Sequence, residues 1–184
     1  RDHPMKTWTF GIAIMALIVV SCSRLEPCFD YIISGSYDEV ANALNNGLDP
    51  NTQDECGNCL VKVAAGYQDV RITKMLIDYG CDVNLCNEDG RNSLMTASLC
   101  GHLDTVRLLL ESGANVNKQD NYGQTALMHA TRPKRSVEVM ELLLYHGAEI
   151  NTQDAAGNNA LDWAIMENNL DAVRYLVERG IDIH

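Results

Sequence analysis

Between Gly101 and Asn117 the chain reads GHLDTVRLLLESGANVN, and between Asp120 and Ala130 it reads DNYGQTALMHA. In the first stretch Leu103, Val106, Leu109 and Leu110 stand at i, i+3, i+6 and i+7, one face of a helix turned toward a core. Gly113 follows the apolar run, at the position after a helix where a left-handed backbone costs glycine nothing. The second stretch begins with a polar turn closed by Gly123. It continues into a shorter helix carrying Leu127 and, three residues on, the small Ala130.

The same punctuation recurs along the sequence. Gly47, Gly80, Gly113, Gly147 and Gly180 are spaced by 33, 33, 34 and 33 residues. Gly57, Gly90, Gly123 and Gly157 keep step with them, and so do Asn51, Asn84, Asn117 and Asn151. Three series locked together at this period are a repeat architecture. The second-helix face reappears as Val137, Met140, Leu143 and Leu144, as Leu170, Val173, Leu176 and Val177, and, with one polar member, as Val70, Thr73, Leu76 and Ile77. Tyr37, Val40, Ala43 and Leu44 extend it backwards. Ala64, Ala97, Ala130 and Ala164 keep a small residue on each first helix, where neighbouring helices must approach closely. No single unit could bury such a face alone, so the units must stack.

The stretch from Asp120 to Ala130 resembles the D-x-x-G-x-T-P-L-H-x-A motif of the ankyrin repeat, and Gly101 to Asn117 resembles that family's second half. The likeness covers residues 25–184. The motif proline is replaced by Leu60, Ser93, Ala126 or Ala160, and the motif histidine by Lys62, Met95, Met128 or Asp162. The expected fold is an all-α ankyrin-repeat solenoid of five helix-turn-helix units with β-turn fingers. The units run 25–53 (partial, acting as the N-terminal cap), 54–86, 87–119, 120–153 with one inserted residue, and 154–184.

Before the repeats, residues 1–4 read as upstream sequence and Met5 as the start. From Phe10 to Val20 the sequence is FGIAIMALIVV. Eleven residues are too few to span a bilayer, which needs about 20, but they suit the core of a signal peptide over 5–21. Val19-Val20-Ser21-Cys22 resembles a relaxed bacterial lipobox, which makes Cys22 the expected lipid-attachment residue and 22–24 an anchor segment. Ordinary secretion and a retained anchor helix are the alternatives. The expected localisation is the periplasm or outer membrane.

The formal net charge of -11 argues against nucleic acid as a partner. Hydrophobic residues at 46% and charged residues at 21% describe an ordinary globular protein. The resemblance implies a non-catalytic module that binds a protein on its concave side, as a monomer and without a cofactor. By register, that side presents Glu55, Cys56, Asn58 and Tyr67 in the second unit and Glu88, Asp89, Arg91 and Leu99 in the third. The fourth presents Asn121, Tyr122, Gln124 and Arg132, and the fifth Asn158, Met166 and Glu167. Tyr67, Leu99, Tyr122 and Met166 would form an apolar line with polar edges, the make-up of a protein interface. Local packing against the next unit is the plainer account of the same residues. Arg132-Pro133-Lys134-Arg135 is a basic run on an acidic protein, read as a solvated loop, with contact to an acidic partner the alternative and Pro133 expected to end its helix.

Seven cysteines complete the inventory. In an oxidising compartment Cys56–Cys86 and Cys28–Cys59 are the pairings to look for, while Cys100 falls at the other end of the stack and stays unpaired. The C-x2-C-x21-C-x4-C spacing from Cys56 to Cys86 is too wide and too spread over different fingers for a good zinc site, and no metal is expected. A redox role for Cys56 and Cys59 lacks the β-α context such pairs need. No nucleophile, base and oxyanion arrangement appears, and His102 and His129 occupy ordinary repeat positions. The expected roles are a scaffold or an immunity or protective factor; the rival is a secreted effector acting on a host protein.

Overall fold

In the computed structural model, residues 27–132 and 136–182 are described. The leader, Cys22 and residues 133–135 lie outside them. Among the described residues are ten helices: α1 Pro27–Ile33, α2 Tyr37–Asn45, α3 Leu60–Gly66, α4 Val70–Asp78, α5 Ser93–Cys100, α6 Leu103–Glu111, α7 Ala126–His129, α8 Ser136–Tyr145, α9 Ala160–Met166 and α10 Leu170–Glu178. Odd-numbered helices pack on one another in series, and even-numbered helices do the same, giving two layers. No described helix is long and apolar enough to cross a membrane. Helices of four to ten residues are marginal in water, so the stack supplies their stability.

The core takes up much of the predicted faces and adds Ile72 and Val139, while Tyr37, Leu170 and Val177 of those faces are exposed. Val106, Leu109, Val139, Met140, Leu143, Ile72, Leu76 and Leu176 are all but inaccessible, as are Ala64, Ala97, Ala130 and Ala164. Each fully buried leucine contributes about 2 kcal/mol of apolar transfer energy. Thr73, the polar member of its face, is also buried, and its hydroxyl donates to Asp69 O at 3.4 Å. The first helices of units three to five are capped by polar side chains: Asn92 Oδ1 accepts from Met95 N, Thr125 Oγ1 accepts from Met128 N, and Asn159 forms a capping box with Asp162. Helix α7 stops at His129, short of Pro133. Thr131 Oγ1 donates to Met128 O at 2.8 Å and turns the backbone there.

The asparagine series explains itself as a ladder between units. Asn51, Asn84, Asn117 and Asn151 each accept, through Oδ1, a backbone N–H of the next unit: Asp82, Asn115, Glu149 and Asp182, at 2.7–2.9 Å. Asn84 and Asn117 also donate through Nδ2 to Gly113 O and Gly147 O, at 3.1 and 3.0 Å. The second glycine series sits where fingers touch. Gly123 has φ +77°, and a Cβ there would lie 2.7 Å from Ala155 N. His102 also links units, its Nδ1 lying 3.0 Å from Ala65 O.

The fifth unit differs from the others. Ala65, Ser98 and Thr131 are buried at a register whose fifth-unit member, Ile165, is 59% exposed. Met166, Leu170 and Val177 are exposed with it. No described unit stacks on that face.

Candidate functional site

Each finger is closed by its first side chain. Asp54 Oδ1 accepts from Cys56 N and Asn58 N, Asp120 Oδ1 from Tyr122 N and Gln124 N, and Asp154 Oδ1 from Ala156 N and Asn158 N, all at 2.8–2.9 Å. Asn87 serves the third unit, accepting from Arg91 N. The fingers then bond edge to edge: Glu88 N donates to Cys56 O, Asn121 N to Asp89 O, and Ala155 N to Tyr122 O. The result is a rigid comb of turns standing beside the first helices.

Between this comb and α3, α5 and α7 lies a groove of about 490 Å³. Asn58, Glu88, Asp89, Arg91 and Leu99 line it together with Cys56, Lys62 and His129. Tyr122 stands exposed at its edge, with the Arg91 guanidinium 5.8 Å from the ring centroid, a cation–π arrangement. Arg91 Nε donates to Asp120 Oδ2 at 3.1 Å, and His129 Nε2 lies 3.5 Å from the same oxygen. Burial opposes the Asp120 charge, but His129, the Gln124 N–H and Arg91 outweigh it and hold the carboxyl at about 2. Burial pushes His129 below the ordinary histidine range, so the ring is neutral near pH 7.

The remaining expected positions divide. Glu55 is exposed on its finger, and Met166 is exposed on the fifth unit, away from the groove. Tyr67 caps α3, half-buried, and does not line the groove. Arg132 and Glu167 pair with each other at 3.1 Å. Gln124 and Asn158 are partly buried, their backbone N–H groups donated to turn carboxylates.

Two expectations are corrected. Asn58 is buried, not presented. Its Nδ2 donates to Asp54 Oδ2 at 2.8 Å, and its Oδ1 accepts from Lys62 Nζ at 2.6 Å and Asn87 Nδ2 at 3.2 Å. Neither disulfide pairing forms. Cys28, Cys59 and Cys86 carry thiols: Cys59 is sealed in the core at the start of α3, and Cys86 Sγ turns back to Asn84 O at 3.4 Å. Cys56 is disulfide-bonded, but not to Cys86. Cys100 also carries a thiol. Asn121, though exposed, uses its Nδ2 on Glu88 O at 2.7 Å, so it staples fingers together. No cluster of three or more potential metal-ligating side chains occurs among the described residues.

Sequence reasoning missed Lys62 and Asp120 as parts of the site. Lys62 is visible in sequence only as a departure from the motif histidine, where Met95 and Met128 stand in later units. Burial pushes its ammonium below the usual lysine range, opposed by nearby Cys59 and Asp54 and reinforced by Arg91.

A family model described as ankyrin repeats (3 copies) matches residues 29–120 and 113–184. An ankyrin repeat-containing protein of Schizosaccharomyces pombe is 33% identical over 60 residues, which cover 33% of this chain and 29% of that protein. The aligned stretch therefore spans less than a third of the relative's length.

Proposed function

The protein belongs to the ankyrin-repeat family, whose members generally bind protein partners, and on that premise we propose that it is a non-catalytic module seating its partner on the concave side of units two to four. The supporting observation is the groove lined by residues from three successive units, with exposed Tyr122 and half-buried Leu99 and Arg91 around it. Aromatic and arginine anchors inside a polar rim are what interface hot spots use. The test is affinity capture with the full-length protein as bait, beside a variant in which Tyr67, Leu99 and Tyr122 are changed to serine. A protein held by the wild type and released by the folded variant supports the reading. Equal retention by both moves the site elsewhere, with Arg132 the next position to change.

We also propose that the module is exported. The apolar run from Phe10 to Val20 supports this as the core of a leader. An exported module of this kind is suited to scaffolding an envelope complex or shielding a target protein. Terminal sequencing of the mature protein tests the leader, and an uncleaved leader overturns the reading. Fractionation of Cys22→Ala then separates a lipid-anchored form from a released one, the second being the form an effector acting on a host would take.

A further inference from the structure

The floor of the groove carries a charge that the fold does not need. Lys62 is 5% exposed, yet among the described residues its Nζ makes one hydrogen bond, to the neutral amide of Asn58. An ammonium has three donors, and leaving them unmade in a buried site is costly. Arg91, on the finger above, has one side-chain hydrogen bond among the described residues, through Nε to Asp120. Its outer nitrogens remain for a ligand. A third observation points the same way. His129 lines the same groove, is buried, and its Nε2 has no hydrogen-bond partner among the described residues. At 3.5 Å from Asp120 Oδ2 it is poised to take over that acceptor. Arg91 can therefore turn from Asp120 to an incoming anion without stranding a buried carboxylate.

The other charges limit what that anion can be. Glu88 and Asp89 line the groove on the finger side and are exposed, Asp54 lies behind Asn58, and the whole protein is strongly acidic. An acidic surface would be repelled. A single carboxylate set among cationic side chains would be drawn in by the rim and neutralised at the floor.

We propose that this groove binds one carboxylate of the partner, held by Lys62 and Arg91, with Glu88 and Asp89 engaging lysine or arginine on either side of it. The proposal deepens the concave-face reading and rests on it. The occupant is an acidic residue within a basic segment; the free carboxylate that ends a polypeptide is an outcome the test separates.

The probe is the peptide acetyl-Lys-Ala-Glu-Ala-Lys-amide, titrated into the full-length protein and followed by the backbone amide of Thr96 and the imidazole of His129 in NMR spectra. A Glu→Gln version is the control, and the same Gln peptide ending in a free carboxylate represents a polypeptide terminus. Saturable shifts with the Glu peptide, weakened about tenfold or more by Glu→Gln, are expected, as a charge-assisted hydrogen bond of this kind contributes at least that factor. Lys62→Met should weaken binding by a similar factor; methionine already stands at this register in Met95 and Met128, so the variant keeps the fold. Arg91→Gln should weaken it several-fold. If the free-acid Gln peptide binds more tightly than the Glu peptide, the groove takes a terminal carboxylate and the internal acidic residue is overturned as its occupant. Equal binding of Glu and Gln peptides, unchanged binding by folded Lys62→Met, or no saturable shift up to about 10 mM would each overturn the proposal. Such failure leaves the concave-face reading standing, because the capture experiment with the serine variant tests that separately.

Discussion

Lys62→Met should make the protein more stable, although it removes a hydrogen bond. The wild-type ammonium gives a charge-assisted bond to Asn58 Oδ1 at 2.6 Å, worth about 1.5–3 kcal/mol. Asn58 Oδ1 is not stranded by the change, since Asn87 Nδ2 still donates to it at 3.2 Å. Against that loss stands the penalty of holding an ion at 5% exposure, still several kcal/mol after relaxation. A methionine of similar length adds about 1–2 kcal/mol of apolar burial. The balance is a gain of about 1–3 kcal/mol, or roughly 2–4 °C in Tm for each kcal/mol in a protein of this size. Thermal melts and urea titrations at pH 7, followed by helical circular dichroism, read it directly. A fall in Tm of a degree or more would refute the reasoning: the ammonium would then be contributing to folding, and binding would not be needed to explain it.

Other predictions follow from the same contacts. Asn84→Ala deletes both bonds of one ladder rung and should lower stability by about 1–2 kcal/mol, read from the urea midpoint; a loss under about 0.3 kcal/mol would mean that water replaces the rung at no cost. Gly113→Ala and Gly123→Ala both place a side chain at positive φ, but only at Gly123 does the Cβ meet backbone, at 2.7 Å. The first should cost about 1 kcal/mol and the second at least about 2 more, and equal losses would show that the fingers yield freely. For acid, the signs of two groups agree. His129 is depressed below its ordinary 6.5 by burial, so the unfolded state binds the proton first and stability falls as pH drops below about 6.5. Asp120, held at about 2 against an ordinary 3.8, adds stability that is complete above about pH 4 and is lost between about 4 and 2, roughly 2 kcal/mol in all. Urea midpoints across pH 7 to 3 check this, with Asp120→Asn expected to flatten the lower window and His129→Gln the upper.

Most of the architecture was legible because it is local and periodic. A face such as Leu103, Val106, Leu109 and Leu110 declares itself within eight residues, and the glycines mark its ends. Interactions spanning a whole repeat were harder to read. The asparagine series was plain as spacing, but its reason is a bond from each Oδ1 to a backbone N–H some 31 residues on, in the next unit. Asn58 was misread for a related cause. Beside a turn glycine it has the address of an exposed residue, yet Asp54, Lys62 and Asn87 converge on it and bury it. The cysteine pairings failed because register locates an end of the stack but not the direction of a thiol within it. The groove was half visible: Glu88, Asp89, Arg91 and Leu99 were found from position, while Lys62 was passed over as a blemish in a motif. A charged residue where sister units carry methionine is the signal that was there to be used.

The exposed face at Ile165, Met166, Leu170 and Val177 also bears on how readily each part of the stack opens. Among the described residues, units two, three and four are each packed from both sides, whereas units one and five are each packed from one. A unit packed from one side opens more readily than a unit packed from both. Amide exchange in α9 and α10 should run ahead of that in α5 and α6. The groove lies on units two to four, which are packed from both sides, so the binding surface belongs to the better-held part of the described stack.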